Sequence, residues 1–163
     1  MDILKLVPAK TADGLEFLDF EISGESFYSL SGKTGLTCLG HSLDEYENKQ
    51  RDILSLIAPA DLPKNRRAII VCEQCGDRLC GGKSIVISDS NNIITWEKFE
   101  FFEFNYEDND FEFYPSSNLR TFRFQKNQYL EALKYEKHID RSKNKPNRSI
   151  WQYLRQLVSQ NRR

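Results

Sequence analysis

Short β-branched runs, punctuated by glycine, cysteine and acidic turns, fill the centre of the chain. Ala68–Val71 and Ser84–Ile87 are two such runs, and the loop between them holds three cysteines (Cys72, Cys75, Cys80) and three glycines (Gly76, Gly81, Gly82). A longer aromatic run, Ile93–Phe104, follows Asp89-Ser90-Asn91-Asn92. Apolar runs of this length separated by turn residues predict antiparallel strands. The spacing therefore predicts a β-meander with a tight cysteine-glycine turn. Within Ile93–Phe104 the aromatic phase slips: Phe99 and Phe101 share one strand face, Phe102 and Phe104 the other. A regular strand does not do this, which predicts either a β-bulge near Phe101 or burial on both faces. Asn105–Asp110 reads as an acidic turn, and Phe111–Tyr114 and Leu119–Phe124 as further strands around Pro115-Ser116-Ser117-Asn118.

The flanks add helices. Residues 1–12 read as a loosely ordered lead-in. Leu15–Ile22 reads as a first strand with Leu18, Phe20 and Ile22 on one face, Ser26–Leu30 as one helical turn, and Leu36–Gly40 as a short strand. Ser42 and Glu45 form a capping box, so a helix is expected over Leu43–Leu56, ended by Pro59 and Pro63. Gln125–Lys137 reads as a helix with Tyr129, Leu130 and Leu133 on one face. The whole predicts an α+β fold: a central antiparallel meander with flanking helices, residues 1–137, then a basic linker and C-terminal helix, residues 138–163. In that helix Ile150, Trp151, Leu154, Leu157 and Val158 form one stripe, suited to docking on the domain.

At 163 residues, 39% hydrophobic and 29% charged, the chain is long enough for one core and ordinary in composition. No apolar run approaches the roughly 20 residues of a membrane span. The N-terminus does not read as a secretory signal, and four cysteines without one point to reduced thiols in the cytoplasm. The net charge of −1 hides an asymmetry. Residues 1–118 hold 21 Asp/Glu and 11 Lys/Arg, hence −10; residues 119–163 hold 3 and 12, hence +9. Either the two parts meet different partners or the basic tail folds back on an acidic body.

Few residues offer chemistry. Ser31-Gly32-Lys33-Thr34 lacks the earlier glycine of a phosphate-binding loop, since position 27 is Phe27. His41 and His138 sit in no nucleophile or metalloprotease pattern, so no enzyme activity is expected. Cys72, Cys75 and Cys80 have metal-like spacing, with Cys38 or His41 available as a fourth zinc ligand; the competing reading is a tight glycine turn with small thiols beneath it. Glu97, Glu100, Glu103, Glu107, Asp108, Asp110 and Glu112 interleave with aromatics. They read either as the solvated side of a sheet edge or as a negative surface with aromatic anchors for a basic partner. The basic tail lacks a nucleic-acid reading module, and the acidic body argues against direct nucleic-acid binding.

The meander carries Cys72, Cys75-Gly76-Asp77, Cys80-Gly81, Trp96, Phe99 and Asn105-Tyr106, with Phe122-Arg123-Phe124, Tyr129 and Leu133 farther on. In these residues the chain resembles small bacterial proteins identified as immunity proteins of contact-dependent growth inhibition and related polymorphic toxin systems. The likeness covers about residues 67–135. Where that pattern often carries glycine, this chain has Leu79. The resemblance implies a cytoplasmic protein that binds one toxin C-terminal domain, often a nuclease in such systems, and blocks its active site; no cofactor is expected unless the cysteines hold zinc. Glu97–Glu112 is then the expected toxin-binding surface. The alternative expectation is a zinc-stabilised cytoplasmic module that uses its basic tail on nucleic acid.

Overall fold

A computed structural model describes residues 1–39, 44–116 and 119–134. The chain runs β1 (Leu4–Lys10), β2 (Glu16–Ile22), β3 (Glu25–Ser26), α1 (Phe27–Leu30), β4 (Leu36–Thr37), α2 (Asp44–Leu54), β5 (Arg66–Val71), β6 (Gly82–Ser90), β7 (Ile93–Asn105), β8 (Asp110–Pro115), β9 (Phe122–Gln125) and α3 (Lys126–Leu133). Strands β1-β2-β3 form one antiparallel sheet. The other has six strands, ordered β4-β5-β6-β7-β8, with β9 also on β7. The fold is α+β, and β5 to β8 are the expected meander.

β7 is long because it serves two partners along one edge. Its first half, Ile93–Trp96, pairs β9; its second, Glu100–Asn105, pairs β8; its other edge pairs β6. Between the halves β7 carries one residue more than β6: Val86 faces Glu97 and Ser84 faces Glu100. Lys98, at φ 55°, is the residue in left-handed backbone there. The expected bulge therefore exists, three residues before Phe101. It brings Phe99 onto the face of Trp96, and both pack on Phe27. The Arg66 side chain closes the bulge. Its guanidinium donates to the Lys98 carbonyl, to Ser84 Oγ (2.8 Å), and to Glu100 in an ion pair (2.9 Å).

The three-stranded sheet covers the first half of β7. Leu4, Leu6, Leu18, Phe20 and Ile22 are buried in the same cluster as Ile85, Ile87, Ile94 and Trp96. The expectation of a loose lead-in at residues 1–12 is corrected: β1 pairs β2 in unbroken register from Leu4↔Ile22 to Lys10↔Glu16. Only Leu4 and Leu6 mark its buried face, and Pro8 obscures the alternation, which an edge strand tolerates. On β2, Phe17 and Asp19 are buried as well as Leu18 and Phe20, so both faces are covered. The Asp19 carboxylate accepts from Ser26 Oγ (2.5 Å) and the Tyr28 N–H (3.0 Å), which fastens the N-terminus of α1.

The expected cap Ser42, the start of its helix at Leu43, the turn residues Ser117 and Asn118, and everything from residue 135 onward lie outside the described residues. That includes the C-terminal helix expected at Ile150–Gln160.

The centre of the core is Trp96, fully buried, with the rings of Phe20, Phe27, Phe124 and Tyr129 edge-on to it at centroid distances of 5.3–6.0 Å. Its Nε1–H donates to the Tyr129 hydroxyl (3.1 Å), which donates to the Leu54 carbonyl (3.0 Å). Tyr129→Phe leaves two buried groups without that partner, at about 1–3 kcal/mol each. The expected outcome is a lower urea midpoint at unchanged m-value, with a loss of about 2 kcal/mol or more.

Candidate metal centre and the adjoining cleft

The cysteine turn begins where β5 ends. The Gly76 N–H donates to the Cys72 carbonyl (2.8 Å), and the Asp77 carboxylate accepts from the Leu79 N–H (2.9 Å), capping a single 3-10 turn, Arg78–Cys80. Two glycines then press the chain against its neighbours. A Cβ on Gly81, whose φ is +80°, would lie 2.8 Å from the Phe102 carbonyl oxygen. One on Gly82 would lie 2.1 Å from the Ile70 carbonyl oxygen. Both contacts are with backbone and cannot relax cheaply.

This folding gathers three thiols. The sulfurs of Cys72, Cys75 and Cys80 all lie within 4.8 Å of one another, with Cys75 and Cys80 3.3 Å apart. An ion about 2.3 Å from each sulfur, in tetrahedral geometry, needs sulfurs roughly 3.8 Å apart, so the three fit a metal with small adjustments. Backbone N–H groups are aimed at them: the Asp77 N–H lies 3.5 Å from Cys75 Sγ, and those of Gln74 and Cys75 donate to Cys72 Sγ. Burial pushes all three thiols up, and Cys75 reaches about 12. At Cys72 the N–H groups and the neighbouring thiols outweigh burial and hold it below its ordinary value. Cys72 is thus the first of the three to ionise, and a cation would favour the thiolate form of all three.

The anticipated fourth ligand is not Cys38. That residue is wholly buried in the core, its N–H donates to the Ile69 carbonyl (2.9 Å), and burial pushes its thiol up to about 12. His41 lies outside the described residues. Among the described residues only the three cysteines form such a group.

An ion pair not anticipated from the sequence holds the turn down. Arg78 donates to Asp61 Oδ2 through Nε (2.9 Å) and Nη2 (2.6 Å), and to the Gly76 carbonyl through Nη1 (3.2 Å). Asp61 also accepts from the Ala68 N–H (3.0 Å), tying the turn to β5. Burial works against both charges, raising Asp61 and lowering Arg78, so each needs the other.

Beside the thiols opens a cleft of about 800 Å³. Cys72 and Cys80 stand in its wall, with Lys33, Lys83, Phe101 and Tyr114 around it. Lys83 donates to the Ser31 carbonyl, sits 4.7 Å from the Phe101 ring centroid, and burial pushes its pKa down.

The seven acidic candidates divide. Glu100 is committed to Arg66, and Glu97 lies half-buried in the first half of β7. Glu103, Glu107, Asp108, Asp110 and Glu112 gather on the β7–β8 hairpin. Glu103 is directly opposite Glu112, and the Tyr114 hydroxyl lies within bonding reach of both, donating its single proton to one at a time. Asn105 organises the tip: Nδ2 donates to Glu112 (2.6 Å) and Asp108 (3.0 Å), and Oδ1 accepts from the Glu107 N–H (2.9 Å). These bonds from Asn105 and then Tyr114 hold the Glu112 carboxyl below its ordinary value. Tyr106 (74% exposed), Phe101 (44%) and Tyr114 (43%) are the aromatics left in solvent here. Tyr114 joins the acidic face because strand period two puts it beside Glu112, a signal the sequence carries once β8 is paired.

No family model, curated protein or solved structure matches this chain. No helix among the described residues is long and apolar enough to cross a membrane.

Arg78→Leu strips Asp61 of its partner in a nearly closed site. Removing one member of a buried pair costs roughly 3–5 kcal/mol. The urea midpoint is expected to fall accordingly, with Arg78→Lys restoring only part, because one ammonium does not replace the three bonds.

Proposed function

We propose that this chain is an immunity protein that binds a cognate bacterial toxin domain, a nuclease, and occludes its active site without doing chemistry. The observation that carries this reading is the β7–β8 hairpin. Residues 99–118 contain six carboxylates (Glu100, Glu103, Glu107, Asp108, Asp110, Glu112) and no Lys or Arg. Five of them share the hairpin with three exposed aromatic rings, Phe101, Tyr106 and Tyr114. Unneutralised carboxylates raise the encounter rate with a basic surface, and desolvated aromatics hold what has docked. A nuclease cleft that accepts phosphates is such a surface. The motif resemblance supports the same class.

Zinc is the ion we assign to the cysteine cluster, since reduced thiolates in a tetrahedral set suit it. This also supports a second reading, a zinc-stabilised module acting on nucleic acid through its basic residues 138–163. The acidic hairpin disfavours phosphate ligands on the described face.

Tagged protein returned to its own bacterium is expected to hold one toxin C-terminal domain in one-to-one amount and to protect cells that express that domain. The triple variant Glu107→Lys, Asp108→Lys, Asp110→Lys is expected to slow association by about tenfold at low salt, with the difference shrinking as salt rises. Full protection by that variant would remove the hairpin as the docking surface. Recovery of nucleic acid alone would favour the second reading. Separately, elemental analysis is expected to find one zinc per chain, lost in Cys75→Ser; a zinc-free wild-type protein purified under reducing conditions rules the metal out.

A further inference from the structure

We propose that the zinc held by Cys72, Cys75 and Cys80 keeps its fourth coordination position open to the cleft, and that this position takes a low-molecular-weight thiol. The inference rests on the zinc assignment above. Three observations support it. Among the described residues only these three side chains form such a group, and Cys38, one of the two anticipated fourth ligands, is fixed in the core. Cys72 and Cys80 themselves form part of the cleft wall, so the cluster borders open space. That space, about 800 Å³, is of the size that holds small molecules.

The chemistry of the site selects the ligand. Zinc with three protein ligands and a vacant fourth position is the arrangement that binds exogenous molecules, whereas a closed set of four is structural. An ion in a thiolate-rich set favours another soft donor over carboxylate. A thiol that binds releases its proton to solvent and coordinates as the thiolate, with no change of oxidation state. Zinc and three thiolates sum to −1, and a fourth thiolate makes −2; Lys33 and Lys83 in the cleft wall offset that charge. The Phe101 ring supplies an apolar surface for the remainder of the molecule.

The test uses the full chain loaded with cobalt in place of zinc, whose absorption reports ligand number and type, titrated with free cysteine as the probe. The visible bands are expected to shift saturably with cysteine while cobalt stays with the protein on ultrafiltration. Cys38→Ala and His41→Ala are expected to leave both the starting spectrum and the titration unchanged. Phe101→Ala is expected to weaken the response to cysteine several-fold without altering cobalt affinity. A spectrum that cysteine does not move, or cobalt that leaves the protein with the cysteine, overturns the proposal. So does loss of one ligand's signature in Cys38→Ala or His41→Ala, which would mean a closed four-ligand site with the zinc assignment intact. Cobalt that never binds removes the zinc assignment and this inference together.

Discussion

The Arg66 guanidinium sits where β7 carries one residue more than β6, and its N–H groups satisfy what the extra residue leaves unpaired. A bulge in the middle of a sheet exposes a carbonyl that has lost its ladder partner, and burying it unpaired costs free energy. Arg66 reaches that carbonyl, the Ser84 hydroxyl and the Glu100 carboxylate at once. Without the bulge, Lys98 and Glu100 would follow Trp96 on the face that packs against the three-stranded sheet, and two charges would enter an aromatic core. With it, Phe99 takes that place, and Phe101 and Glu103 continue along the same face into the cleft. One inserted residue thus divides β7 into a half that builds the core and a half that builds the candidate surface.

The same device explains what could be read from the chain in advance. The aromatic phase slip left a bulge or burial on both faces open, and β7 has both: the bulge lies ahead of the aromatics at Lys98, and beyond it Phe99 and Phe102 are buried on opposite faces. The position of the bulge was not legible, since that depends on which β6 residue stands opposite. Glu100 and Glu103, three positions apart, lie on opposite strand faces, and the bulge ahead of them turns Glu100 away from the Trp96 face and against Arg66, a partner 34 positions earlier in the chain. The meander, the cysteine turn and α3 follow from local pattern and turn residues. β1 does not, because its strand character is conferred by pairing with β2 and not by its own composition. Three sulfurs meeting was foreseeable from glycine-rich spacing, whereas the exclusion of Cys38 depended on tertiary burial that spacing does not encode.

Both candidate sites lie on one continuous surface. Phe101, Glu103 and Tyr114 belong to the acidic hairpin and also wall the cleft that ends at Cys72 and Cys80. Their charges differ: carboxylates crowd the hairpin, while Lys33 and Lys83 stand in the cleft wall beside the thiols. A partner seated on Phe101 and Tyr114 would also cover the cleft, because both residues stand in its wall. If both proposals hold, a ligand in the cleft and a partner on the hairpin exclude one another, and each weakens the other by the same factor.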